Sequence, residues 1–213
     1  KEESRLLEKT YIMIIRNGAL LTEQQKAELR KIDEELSVLS PKFAENVLKA
    51  TNAFQMWIEK REDLAGLPES AVEAAAMLAE EKGKAGQWLF TLDAPSYLAF
   101  MTYADGRSLR ETMYHAFTGR AFGGEFDNRE LVKKTALLRL KRAKLLGYKS
   151  HAHFVLEERM AQTSDRVMKF LDRLYEVSFP KAKQERKEVQ EFASRNGLKS
   201  ELQPWDWLYY SEK

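Results

Sequence analysis

His115, His151 and His153 are the only imidazoles in a chain of 213 residues that contains no cysteine. Such residues could ligate zinc, which takes nitrogen, sulfur and carboxylate donors and can activate a water for hydrolysis. A helix that binds zinc in the pattern H-E-x-x-H sets its two histidines one turn apart, on one face. His151 and His153 are two positions apart, a spacing that points their side chains to different faces of a helix. His153 and Glu157 are four apart and could share a metal, but a first-turn histidine beside a glutamate is the plainer reading. His115, between Tyr114 and Ala116, reads as a partly buried, satisfied histidine. H-E-x-x-H does not occur, and we assign no catalytic, cofactor-binding or metal-binding residue from the sequence.

Other chemistries leave equally little. The sequence holds no G-x-S-x-G elbow and no Walker loop. Gly123-Gly124 is followed by no Lys-Ser or Lys-Thr and reads as a flexible loop. The carboxylate pairs Glu34-Glu35 and Glu157-Glu158 read as solvated helix faces. Lys133, Lys134, Arg139, Lys141, Arg142 and Lys144 could touch a phosphate backbone. They alternate with Leu131, Leu137, Leu138, Leu140 and Leu145, the pattern of an amphipathic helix with a cationic face.

Composition narrows the class. Lys plus Arg number 35 and Asp plus Glu 33, a net charge of +2, so there is no bulk pull toward nucleic acid or anionic lipid, and neither is expected as a partner. With 44% hydrophobic residues the chain can build a core. The lack of cysteine excludes disulfides and thiolate chemistry and fits a reducing compartment. No apolar run reaches the roughly 20 residues of a membrane span.

Periodicity predicts an almost entirely helical chain. A first helix ends near Arg16, before Gly18. Thr22 to Gln25 match a capping box that opens a second helix, whose stripe runs Leu29, Ile32, Leu36, Leu39, Phe43. Pro41 should kink or split that helix. Phe54 to Lys60 and Gln87 to Leu92 read as two short strands that pair as an antiparallel ribbon around an alanine-rich helix from Ser70 to Glu81. Helices over Ser96–Ala104 and Ser108–Thr118 come next, then a loop over Gly119–Asp127. Asp127 or Asn128 should cap a helix to Leu146, Ser150 one ending near Ala161, and Thr163 or Ser164 a long one bent by Pro180 and ended by Asn196-Gly197. A last helix opens at Pro204. Four of the last nine residues are aromatic, so Trp205, Trp207, Tyr209 and Tyr210 should lie on a surface deprived of its partner. The uncapped first and last helices suggest a chain cut inside its elements.

Several strings together resemble the thimet oligopeptidase family of zinc metallopeptidases. They are Leu6 to Tyr11 with Arg16 to Leu21, Asp63 to Pro68, Phe90 to Leu98, Leu109-Arg110-Glu111, Ala143 to Tyr148, Arg159-Met160-Ala161, and Pro204-Trp205-Asp206-Trp207. They fall in the family's order across nearly the whole chain, and the last, with the opening strings, leans toward the bacterial peptidyl-dipeptidase (dipeptidyl carboxypeptidase) branch rather than oligopeptidase A. The resemblance implies an all-α ellipsoid split by a channel, with zinc held by H-E-x-x-H and a downstream Glu, acting on short peptides. All matching strings lie upstream of that motif. Residues 1–213 are therefore expected to be one helical fragment, part of the channel wall and cap, with zinc and the catalytic half supplied from the missing C-terminal part, and inactive alone. The expected compartment is the cytoplasm, with the periplasm as the alternative. Two other readings remain at this point: a free-standing helical module that binds peptides or a protein, and an independent metal enzyme built on the three histidines.

Overall fold

A computed structural model describes residues 2–213. Among them the elements are α1 (Glu2–Arg16), α2 (Glu23–Ala53), β1 (Met56–Ile58), α3 (Glu69–Glu81), β2 (Trp88–Phe90), α4 (Ala94–Tyr103), α5 (Arg107–Thr118), α6 (Arg129–Leu145), α7 (His151–Leu156), α8 (Ser164–Arg195) and α9 (Pro204–Glu212), with a 3-10 turn at Arg61–Leu64. The fold is all-α with one antiparallel pair of strands, as the periodicity predicts. The chain forms two compact units, one of residues 1–45 and 128–175, the other of 46–127 and 176–213.

In the first unit the apolar stripe of α2 meets α6. Ile32, Leu39 and Leu138 are buried together, with Leu36, Leu131 and Leu145 against them. Charge reinforces the pairing: Arg142 donates to Asp33 at 2.7 Å and Lys134 pairs with Glu35 at 2.6 Å. Thr22 opens α2 as its sequence predicts, since its backbone N–H donates to the Gln25 side chain at 3.0 Å and its hydroxyl accepts from the Gln25 N–H at 3.3 Å. Gly18 turns the chain before it at φ +90°, and a Cβ there would stand 2.7 Å from a Leu29 methyl.

Two expectations in this region are narrowed and one is corrected. Pro41 does not split α2, which runs unbroken to Ala53. One missing N–H in a helix of 31 residues is outweighed by burial of Leu29, Ile32 and Leu39 along the same helix. Asn128 stands at the start of α6 but makes no capping bond; its amide donates to the Phe43 carbonyl at 3.1 Å. α7 ends at Leu156 instead of near Ala161. Continuing it would bury nothing, because Met160 is fully exposed, and the chain turns instead through Gln162 at φ +63°. α8 continues through Pro180 as one helix.

The second unit is built on the strand pair. Met56, Trp57 and Ile58 face Phe90, Leu89 and Trp88 in antiparallel register, with α3 as the connection. Three-residue strands are marginal alone. These are held by burial: Met56, Ile58, Phe90, Val72, Phe100 and Met113 belong to one core. Phe90 and Phe100 meet edge to face at 4.8 Å, and Tyr97 stacks on Phe117 at 3.9 Å. Gly66, just before α3, lies against the end of α4; a Cβ there would come 2.2 Å from the Tyr103 carbonyl oxygen. The N-terminal end of α3 therefore sits beside the C-terminal end of α4.

α9 closes this unit through charge. Asp206, fully buried, accepts from Arg107 Nε and Nη2 at 2.9 and 2.8 Å, from Arg110 Nη2 at 3.1 Å, and from the Gln203 backbone at 3.1 Å. Arg110 is also buried, and its other donors reach the carbonyls of Ala104 at 2.6 Å, Asp105 at 3.2 Å and Trp205 at 3.1 Å. One guanidinium thus satisfies the open carbonyl end of α4 and ties it to α9. The ring of Tyr209 lies under Arg110 at 4.0 Å and its hydroxyl donates to Asp105 at 2.5 Å. The expected bare aromatic surface is therefore corrected: Tyr209 is buried, Trp205 packs on the core and Tyr210 on a small cluster of Ala193, Leu198 and Leu202. Among the four aromatics only Trp207 remains exposed, at 37%.

Two measurements test this latch. Arg110→Ala leaves a buried carboxylate and the carbonyls of Ala104, Asp105 and Trp205 short of a donor, and urea unfolding should show a loss of about 3–5 kcal/mol. Lys133→Ala, which removes an exposed pair with Glu130, should leave the urea midpoint unchanged. Acid unfolding supplies the second. Burial pushes the Asp206 carboxyl up, but Arg107, the Gln203 N–H and Arg110 outweigh it and hold the group below its usual range. A carboxylate lowered on folding stabilises above its unfolded value, about 4, and that stability is lost as pH falls through the lowered native value. Stability measured from about pH 7 down to about pH 2 should fall in that window, and Asp206→Asn should flatten the fall. Part should persist through Asp105, which the Tyr209 hydroxyl and Lys213 lower against burial.

Candidate functional site

The histidines are placed by short helices and by local capping. Ser150 caps α7: its hydroxyl accepts from the His153 N–H at 3.4 Å and lies 2.8 Å from His153 Nδ1. Glu157, the residue that could have shared a metal with His153, is taken instead by Tyr148, whose hydroxyl donates to it at 2.6 Å, and by Arg16. Arg16 also donates to the Phe154 carbonyl at 2.6 Å and lies over the Phe154 ring at 4.2 Å. This knot ties α1 to the end of α7. Burial and the Glu157 acceptor push the Tyr148 hydroxyl above its usual range.

His151 stacks on Phe154 at 6.3 Å. Burial lowers its imidazole, and the Arg139 and Arg142 charges add to that, so it is biased to the neutral form. His115 differs from its expected burial: it is exposed on α5 and lies against Trp205 at 5.2 Å and Tyr114 at 5.6 Å. It sits in the second unit, while His151 and His153 belong to the first. Among the described residues no three of His, Asp or Glu gather as a metal would need. The three histidines, as placed, do not form a zinc site.

The basic residues of α6 are partly neutralised. Lys133 pairs with Glu130, Lys134 with Glu35 and Arg142 with Asp33. What remains is shape. A groove of about 370 Å³ lies between α2 and α6, lined by Leu39, Phe43, Val132, Ala136 and Arg139. A larger cleft of about 510 Å³ opens in the second unit between α3 and α4, with β2 as its floor. Its walls are Ala71, Ala74 and Ala75 on α3 facing Pro95, Ser96 and Ala99 on α4, over Leu89 and Phe90. Asp93 lines it at the start of α4, and Ser70 and Tyr103 at the opposite end. A cleft of this size and lining can hold one apolar side chain of a ligand.

Asp93 is set by its neighbours. The Thr91 hydroxyl donates to Asp93 Oδ2 at 2.8 Å and accepts from the Asp93 N–H at 3.3 Å, while the Thr91 N–H donates to Ser96 Oγ at 3.0 Å. No cation pairs with Asp93 among the described residues. Sequence reasoning missed this place. Its one legible sign is the run of alanines on a face of α3 that would otherwise carry large core residues.

Comparison with known proteins gives the context. Residues 100–213 match the family described as Peptidase family M3. Over 202 residues the chain is 40% identical to oligopeptidase A of Haemophilus influenzae, covering 92% of this chain and 30% of that one. It is 26% identical to dipeptidyl carboxypeptidase of Escherichia coli over 100% of this chain and 31% of that one. It is 25% identical to the thimet-like oligopeptidase of Dictyostelium discoideum over 99% of this chain and 30% of that one. The chain spans about 30% of the length of these relatives. Identity to the oligopeptidase A chain exceeds that to the dipeptidyl carboxypeptidase chain, the reverse of the leaning taken from Pro204-Trp205-Asp206-Trp207. The seven ordered strings and the family match agree, and the chain belongs to peptidase family M3, a family of zinc metallopeptidases.

Proposed function

We propose that these residues form a helical, peptide-contacting part of a zinc-dependent oligopeptidase that cleaves short peptides. In this reading they supply wall and size selection, and the zinc, its ligands and the catalytic carboxylate come from protein beyond them. One observation carries it: the chain aligns along nearly its whole length with about 30% of oligopeptidase A, and holds no H-E-x-x-H. The higher identity to that relative favours an oligopeptidase A type over a peptidyl-dipeptidase type.

The expected partner is the catalytic half. Uncovered apolar faces support it: Leu6 and Leu7 on α1 are 69% and 72% exposed, and Phe170 and Val177 on α8 are 62% and 75% exposed. A cytoplasmic setting fits a chain free of cysteine, and among the described residues no helix is long and apolar enough to cross a membrane. A second reading, a free-standing helical module that binds peptides or a protein, draws on the packing of α9 against this chain's own α4 and α5.

Hydrolysis decides between them. The chain, incubated at high concentration with zinc and a short peptide blocked at its N-terminus, should show no cleavage with or without chelator. Adding the catalytic portion of an oligopeptidase A should then produce zinc-dependent cleavage. Chelator-sensitive cleavage by the chain alone would return the three histidines to the chemistry and overturn the proposal. Failure of the added portion to associate would favour the binding module.

A further inference from the structure

The cleft between α3 and α4 has a charge at one end and no assigned occupant. Packed helices stand about 8–10 Å apart, a gap that leucine and phenylalanine fill and alanine does not. Here Ala71, Ala74 and Ala99 face one another, and about 510 Å³ stays open above Leu89 and Phe90. Clefts that take small ligands run from about 300 to 1,000 Å³. Large side chains in the same walls would have closed the space at a gain in burial, so the alanines leave an apolar seat.

Asp93 gives the seat a direction. Thr91 engages Oδ2 and leaves Oδ1 available, which aims the carboxylate while leaving its charge unpaired. The C-terminal end of α3 lies at the same end of the cleft, since α3 and α4 are antiparallel; Glu80 and Glu81 in its last turn are followed by Lys82 at the C-cap. Glu80, Glu81 and Lys82 largely offset one another there, and the N-terminus of α4 sets a partial positive charge against Asp93, so the Asp93 carboxylate is the charge that a ligand meets. A ligand suited to this place has one apolar group and, beside it, one ammonium.

We propose that the cleft receives the N-terminal residue of a short peptide, its apolar side chain seated between α3 and α4 and its α-ammonium against the Asp93 carboxylate. The choice of a peptide rests on the oligopeptidase reading; the seat and its charge do not. The ammonium hydrogen-bonds Oδ1, and the side chain displaces water from the methyls of Ala71, Ala74 and Ala99.

Amide chemical shifts of the 213-residue chain, titrated with phenylalaninamide and with N-acetylphenylalaninamide, test this by binding rather than by hydrolysis. The two probes share one apolar group and differ in the cation. Phenylalaninamide should shift the amides of Ala71, Ala74 and Ala99 and bind about fivefold more tightly than the acetylated probe, the yield of a partly exposed ion pair. Asp93→Asn should erase that preference and leave the acetylated probe unchanged. Ala74→Trp should abolish both, and if that variant does not fold, Asp93→Asn alone decides. Equal binding of the two probes to the wild type, a preference that survives Asp93→Asn, or no shift at the cleft overturns the proposal. A failure here leaves the hydrolysis result standing, and a failure of hydrolysis leaves this binding intact.

Discussion

The second unit depends on one buried guanidinium. Arg110 has five donors and meets the end of α4, the loop after it, the start of α9 and a carboxylate. A lysine could bring the charge but not the fork, and could not satisfy three carbonyls and a carboxylate from one position. A buried ion pair is not in itself a large source of stability. Its effect is on geometry: α9 must bring the Trp205 carbonyl and the Asp206 carboxylate to the guanidinium together, which ties its placement to α4 and α5.

That arrangement fixes what the unit offers to a ligand. The rear of α4 is anchored through Phe100, Met101 and Ala104 in the core. Its front, Pro95, Ser96 and Ala99, is then free to form a wall. β2 works the same way, with Phe90 packed on Phe100 beneath and its upper surface left as a floor. In the first unit charge does a milder version of this work, with Asp33 and Glu35 of α2 drawing α6 into register through Arg142 and Lys134.

Features set by neighbours in sequence were legible. The Thr22–Gln25 capping box, the Ser150 cap and the glycine stop at Gly18 involve groups a few residues apart, and the structure forms each of them. The strand pair was legible too, because alternation and β-branched or aromatic residues recur at Met56–Ile58 and Trp88–Phe90. Features set by distant partners were not. Asn128 has the type of a cap, yet Phe43, 85 positions away, takes its amide. His115 looked buried by its apolar neighbours, but α5 turns it outward beside Trp205. The aromatic run in α9 looked bare because nothing local reveals Arg110 as its anchor. The cleft was invisible for a further reason: alanines on a helix read as propensity, and only a facing helix shows that they leave room.

The pairing of Arg110 with Asp206 spans 96 positions, and this sets an order of events. A chain made from its N-terminus presents α4 and α5 long before α9 exists. During that interval Arg110 has no carboxylate, and a charged group without its partner stays hydrated. The patch around Ala104 and Met113 cannot dry while that water remains. Drying, docking of α9 and neutralisation of Asp206 therefore coincide, as one late cooperative step instead of gradual accretion. The long connection makes the step entropically slow to begin, since the ends of a large loop must meet first. Once made, it couples α9 to α4 and α5, so that α9 cannot leave without stripping Arg107 and Arg110 of their shared carboxylate.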